Sequence, residues 1–160
     1  MSEEDLEELR KEVAGNNINE VTLLATDYLN HFNEVVMLIE MLPDMPDMLE
    51  DVQEWEPKTY EEHFEQSVFA AKDLAIKAYR NSPAQFKDPF DLTIKHLNQM
   101  IETELPTIES VIAEENMEKL SFEVGEMTKR MHRFIDIAGG IINGAEGIID
   151  QSTIDQIMDG

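Results

Sequence analysis

An all-α fold, specifically an antiparallel four-helix bundle with short extra helices, is predicted by three observations. Four long segments repeat their apolar residues at helical spacing: 18–42, 58–81, a segment opening at Asp88, and one opening at Asn116. The connections between them are short and punctuated by Pro, Gly and Asn. No stretch alternates apolar and polar residues as a strand does, and no repeat of solenoid period occurs. Long amphipathic segments on short connections pack antiparallel to bury their apolar stripes. The 160 residues fit one domain: a loosely attached short helix within 1–16, a bundle over 17–147 and a docking helix within 148–160.

Residues 2–13 read as a short helix. Ser2 and Asp5 suit its start, acids crowd the first turn, and Arg10 and Lys11 near the end complement the dipole. Leu6, Leu9 and Val13 form a narrow stripe before the break at Gly15-Asn16-Asn17. The segment 18–42 should be one helix ending at Pro43, with Val21, Leu24, Tyr28, Phe32, Val35 and Ile39 on its core face. Asp47-Met-Leu-Glu50 matches a capping box for a short helix to about Trp55. Thr59-Tyr-Glu-Glu62 is a second capping box, opening a helix to residue 81.

Asp88-Pro89-Phe90-Asp91 has the order of a helix start: Asp as N-cap, Pro in the first turn, then an acid. The stripe beginning at Phe90 runs through Ile94, Leu97, Ile101, Leu105, Ile108 and Ile112. Pro106 should kink or split it. Asn116 caps the fourth helix, whose stripe runs from Leu120 to Ala138. The run GGIINGAEGII implies close packing or a bent end, and Ser152–Met158 a last short helix.

The segment 18–42 also carries the chemistry worth testing. Asp27, His31 and Glu34 line up at i, i+4 and i+7. With His63 they compose a candidate mixed N/O site for a divalent metal or a small ligand. Each of the four histidines, His31, His63, His96 and His132, falls on a different long segment. The Glu-x-x-His motif of di-iron bundles is absent, however, because Tyr28, Tyr60, Thr93 and Lys129 precede them by three. On the same polar arc as Asp27 lie Leu23, Met37, Leu38 and Met41, four large apolar residues that a solvated face does not need. They are the candidate interaction surface. Met45 and Met48 extend the methionine-rich stretch, and methionine repacks easily against varied partners.

Composition narrows the function classes. With no cysteine, thiol nucleophiles, disulfides and Cys-ligated metals are excluded. Gly-x-Ser-x-Gly, P-loop, Gly-x-Gly-x-x-Gly and EF-hand patterns are absent. The formal net charge is −23, and the first 70 residues hold 19 of the 35 acids against three bases. Nucleic-acid binding, which rests on Lys and Arg at phosphates, is disfavoured, as are anionic membranes. The acidic start MSEEDLEELRKE does not resemble a signal peptide. Taken together, the residues predict a cytoplasmic, non-enzymatic interaction module without a cofactor. It would take a basic protein partner and form a homodimer. A divalent-metal site is the alternative.

Overall fold

The computed structural model describes residues 2–144 and 156–157, and among these it is all-helical. Helix α1 spans Glu3–Val13. A 3-10 turn, Thr26–Leu29, leads into α2, Asn30–Met41. A second 3-10 turn, Pro46–Met48, leads into α3, Leu49–Glu54. Then come α4 (Tyr60–Gln66), α5 (Lys72–Arg80), α6 (Ala84–Ala113) and α7 (Met117–Ile142). No described helix is long and apolar enough to cross a membrane.

The long pair α6 and α7 forms the main antiparallel hairpin, turning over Glu114–Asn116 with Glu115 at φ 58°. Arg130 on α7 is ion-paired to Glu104 on α6, a register that only antiparallel packing gives. Helix α2 lies on α7, α4 packs on α5, and α1 packs on α5. One hydrophobic cluster runs through all of this, from Leu9 and Val13 of α1 to Ile141 and Ile142, and includes Ile157. Helix α1 is therefore tied down by Leu9 and Val13, both at most 1% exposed.

Two expected long helices are instead broken. Residues 18–25 are not helical, so the segment 18–42 is helical only from Thr26. The cause is local competition: the Asn19 side chain accepts from the backbone N–H of Val21 and Thr22, closing a turn that a helix would forbid. Leu23 N–H then bonds Asn19 O, and Leu23 takes φ 61°. A left-handed leucine costs on the order of 1 kcal/mol. Complete burial of its side chain, worth roughly 1.5–3 kcal/mol, more than offsets that.

The second helix breaks at Ser67. Its hydroxyl donates to Phe64 O and accepts from Phe69 N–H, ending α4 and leaving Val68 fully exposed. The start of α4 is as the sequence requires: Thr59 Oγ1 accepts from Glu62 N–H at 3.1 Å, and Glu62 accepts from Thr59 N–H at 2.9 Å. The backbone N–H of Thr59, with a smaller contribution from its hydroxyl, holds the Glu62 carboxyl below its ordinary range. Thr59→Ala is expected to lower stability by about 1 kcal/mol, read as a shift in urea midpoint. An unchanged midpoint would mean that α4 is held by its packing alone.

Three further boundaries differ from expectation. Asp47 makes no capping bond; Pro46 opens a 3-10 turn there instead. Helix α6 starts four residues before Asp88, at Ala84 behind Pro83, and runs on through Pro89 and Pro106 without splitting. Thr93 Oγ1 donates to the Pro89 carbonyl, and the buried stripe Phe90, Ile94, Leu97, Ile101, Ile108 and Val111 keeps the helix seated despite two missing N–H groups. Asn116 does cap α7, accepting from Lys119 N–H. Gly139 and Gly140 lie inside α7, and a Cβ at Gly139 would meet Leu29 Cδ1 of the same chain at 3.8 Å, an ordinary van der Waals contact. The expected Ser152–Met158 helix, Gly147 and the rest of the 148–160 segment lie outside the described residues, apart from Gln156 and Ile157.

Candidate functional site

The polar cluster of the sequence assembles in part. Asp27 sits in the 3-10 turn before α2, and its Oδ2 accepts from His63 Nε2–H on α4 at 2.9 Å. Asn30 Nδ2 approaches its other oxygen at 3.4 Å. The pair is partly screened from water, with side chains 14% exposed for His63 and 32% for Asp27. Tyr28 and Phe64 pack edge-on against the His63 ring.

His31 is nearby, its ring centroid 6.3 Å from that of His63, but it is committed elsewhere. Its Nε2–H donates to Glu56 O at 2.9 Å, and the ring stacks on Trp55 at 4.6 Å. Trp55 Nε1–H in turn donates to His31 O. Burial lowers the His31 pKa from 6.5 to about 4, with the Glu56 carbonyl opposing and the Lys58 and His63 charges adding to the shift. The imidazole is neutral at pH 7. Glu34 is exposed and joins none of these groups. Of the four candidate ligands, then, only Asp27 and His63 meet. Among the described residues no group of three or more His, Asp and Glu side chains is placed to hold a metal ion.

Nor does the Asp27–His63 pair meet a nucleophile in its own helix. The hydroxyl of Ser67, one turn on from His63, is used in closing the turn at the end of α4. The hydrogen bonds of the cluster tie two segments of the chain together. Ala25 N–H donates to Tyr60 Oη, Tyr28 Oη–H donates to Lys58 O, and the His31, Trp55 and Asp27 bonds complete a strap joining 25–31 to 55–63. Trp55, Tyr28 and Tyr60 were not among the sequence-derived site residues. The usable signal was the lone tryptophan, whose indole N–H needs a partner once its ring is packed away.

The other candidate residues separate by exposure. Leu23 is completely buried in the 18–25 turn and cannot belong to a surface. Leu38 is half-buried and packs on the core. Met37 and Met41 are on the outside of α2, 63% and 38% exposed, and Met45 beyond the helix end is 49% exposed. With Glu40 and Asp44 they line a shallow groove of about 410 Å³. Glu40 at the edge of the groove meets His132 of α7, Nε2 to Oε1 at 2.8 Å, in an exposed pair. His96 is half-buried on α6.

The chain matches no protein-family model, no curated protein and no solved structure.

Proposed function

We propose that this protein is an acidic, non-enzymatic interaction module that holds a basic amphipathic helix of a partner protein against the Met37–Met41–Met45 groove. The observation that carries the reading is three exposed methionines in a row, bordered by Glu40 and Asp44, in a chain of net charge −23. Unbranched thioether side chains adapt to differing apolar faces. Carboxylates at the rim and the overall charge steer a basic segment into place and act mainly on the association rate. A four-helix-bundle packing of α2, α4–α5, α6 and α7, and an intracellular setting, belong to the same proposal.

The homodimer expected from the sequence loses one of its supports, because the apolar residues Leu23, Leu24 and Ala25 are buried within the chain. The methionine groove is, like Met117 and Phe122 on α7, among the exposed apolar surfaces on which self-association could draw.

The test is fluorescence anisotropy with a labelled amphipathic peptide of Lys and Leu, beside one in which Glu replaces Lys. Saturable binding of the basic peptide alone is expected, weakening as salt rises. Met37→Ser combined with Met41→Ser should weaken it at least tenfold while leaving helicity unchanged. Binding that the double substitution does not alter would sink the proposal. Leu38 is the wrong position for such a test, because a charge there would disturb the core.

A further inference from the structure

We propose that Met37, Met41 and Met45 form a binding site for a soft monovalent cation of the copper(I) class, held by three thioether sulfurs. The site lies in the groove of the interaction reading. It rests on sulfur rather than on apolar area, so the two stand or fall separately. Of the exposed methionines among the described residues, only Met117 lies elsewhere. Met100, Met127 and Met131 are in the core, and Met48 packs against it.

Helical register brings the sulfurs together. Met37 and Met41 stand one turn apart on α2. Met45 N–H donates to Met41 O at 2.8 Å, so the helical path runs on for a further turn past the end of α2. The three side chains therefore follow one another at i, i+4 and i+8, and all of them line the groove with Glu40 and Asp44. Residues four apart on a helix hold their Cβ atoms about 5–6 Å apart. Rotatable, unbranched side chains on those Cβ atoms can turn neighbouring sulfurs onto one shared ion. Being exposed, they are free to do so without disturbing the core.

The donor set selects the ion. Thioether sulfur is a soft ligand that favours copper(I), whereas magnesium and calcium take oxygen. With no cysteine in the chain, methionine is the only sulfur it offers. Hard ions find too little here: Glu40 and Asp44 are the only carboxylates lining the groove, and one oxygen of Glu40 already meets His132. Three neutral sulfurs leave the charge of a monovalent ion intact, and those two carboxylates lie close enough to offset it. The net charge of −23 draws cations in general and leaves the choice among them to the sulfurs. Thioethers carry no proton to lose, so binding releases none, unlike a site of cysteine or histidine.

The experiment is a titration of the full chain, labelled with ¹³C at the methionine methyls, with Ag⁺ in chloride-free buffer. Ag⁺ stands in for copper(I) as a soft ion that does not change oxidation state. The Met37, Met41 and Met45 methyls are expected to shift together and saturate, while those of Met117, Met100, Met127 and Met131 stay in place. Mg²⁺ at the same concentration should move none of them. Met41→Leu keeps an apolar side chain of similar volume and removes one sulfur. It should weaken Ag⁺ roughly tenfold and leave capture of the basic peptide unchanged, and Met117→Leu should alter neither. Ag⁺ binding without peptide binding would sink the interaction reading alone. The cation site is overturned by the absence of saturable groove shifts, by equal shifts at Met117, or by a Met41→Leu chain that binds Ag⁺ as tightly as the wild type.

Discussion

Phe32→Ala is expected to lower the unfolding free energy by about 3–5 kcal/mol, a large share of the roughly 5–15 kcal/mol typical of a domain. Phe32 is completely buried on the core face of α2. Its ring sits edge-on to Tyr28 at 5.5 Å, edge-on to His31 at 5.5 Å, and tilted against Trp55 at 5.9 Å. Those neighbours are themselves fixed by hydrogen bonds to the backbone on both sides of the strap, so they cannot collapse into the space left behind. A site unable to relax keeps its cavity, and the loss should approach the upper end of the range. Phe122 supplies the control. It is 65% exposed on α7, and Phe122→Ala should change stability by no more than about 0.5 kcal/mol. Urea denaturation of the two variants gives both numbers. A loss under about 2 kcal/mol at Phe32 would show that the strap does not hold its neighbours rigidly.

The helical class and the core faces were legible because they rest on periodicity. Tyr28, Phe32, Val35 and Ile39 fall on one face whether or not the helix reaches back to residue 18, and all are buried. The breaks at Asn19 and Ser67 were not legible, because each depends on one short polar side chain preferring its own backbone over the helix. Helical spacing through 18–25 was even misleading. It placed Leu23 on the polar arc, whereas the left-handed turn drives that side chain into the core. Pro89 and Pro106 misled in the opposite sense. Both are tolerated inside α6, since the stripe packed against α7 outweighs the local loss of two hydrogen bonds.

Spacing also explains what could be read of the polar cluster. Asp27 and His31 share a helical line, but whether His63 would meet one, both or neither depended on how α4 lies against α2, which is a tertiary fact. The outcome was decided by Glu56, whose carbonyl follows Trp55 and precedes Pro57 and so has no place in a helix. That free acceptor takes the His31 N–H, Trp55 covers the ring, and Asp27 is left to His63 and Asn30.

The same arrangement gives the chain a pH dependence of known sign. His31 titrates near its ordinary 6.5 when unfolded and at about 4 when folded, because burial disfavours the imidazolium. Above pH 6.5 the ring is neutral in both states and contributes nothing to the dependence. Between 6.5 and 4 the unfolded chain binds the proton that the folded chain refuses, so stability falls as pH falls through that window. The full difference is on the order of 3 kcal/mol. Protonation leaves the Nε2–H donor in place on Glu56 O; the cost lies in an imidazolium withdrawn from water rather than in a broken bond. The overall charge acts the other way. Titrating the many carboxylates relieves the self-repulsion of a chain at −23, so raw stability against pH mixes two opposed trends. His31→Gln separates them. It keeps a side-chain N–H donor for Glu56, retains every carboxylate and cannot titrate. At pH 7 the wild type should be the more stable, through its stacked ring. As pH falls from 7 to 4, the gap between the two proteins should close or reverse by on the order of 3 kcal/mol, measured as paired urea midpoints. A gap that stays constant over that range would mean that His31 is hydrated in the folded state and that the stack on Trp55 does not exclude water.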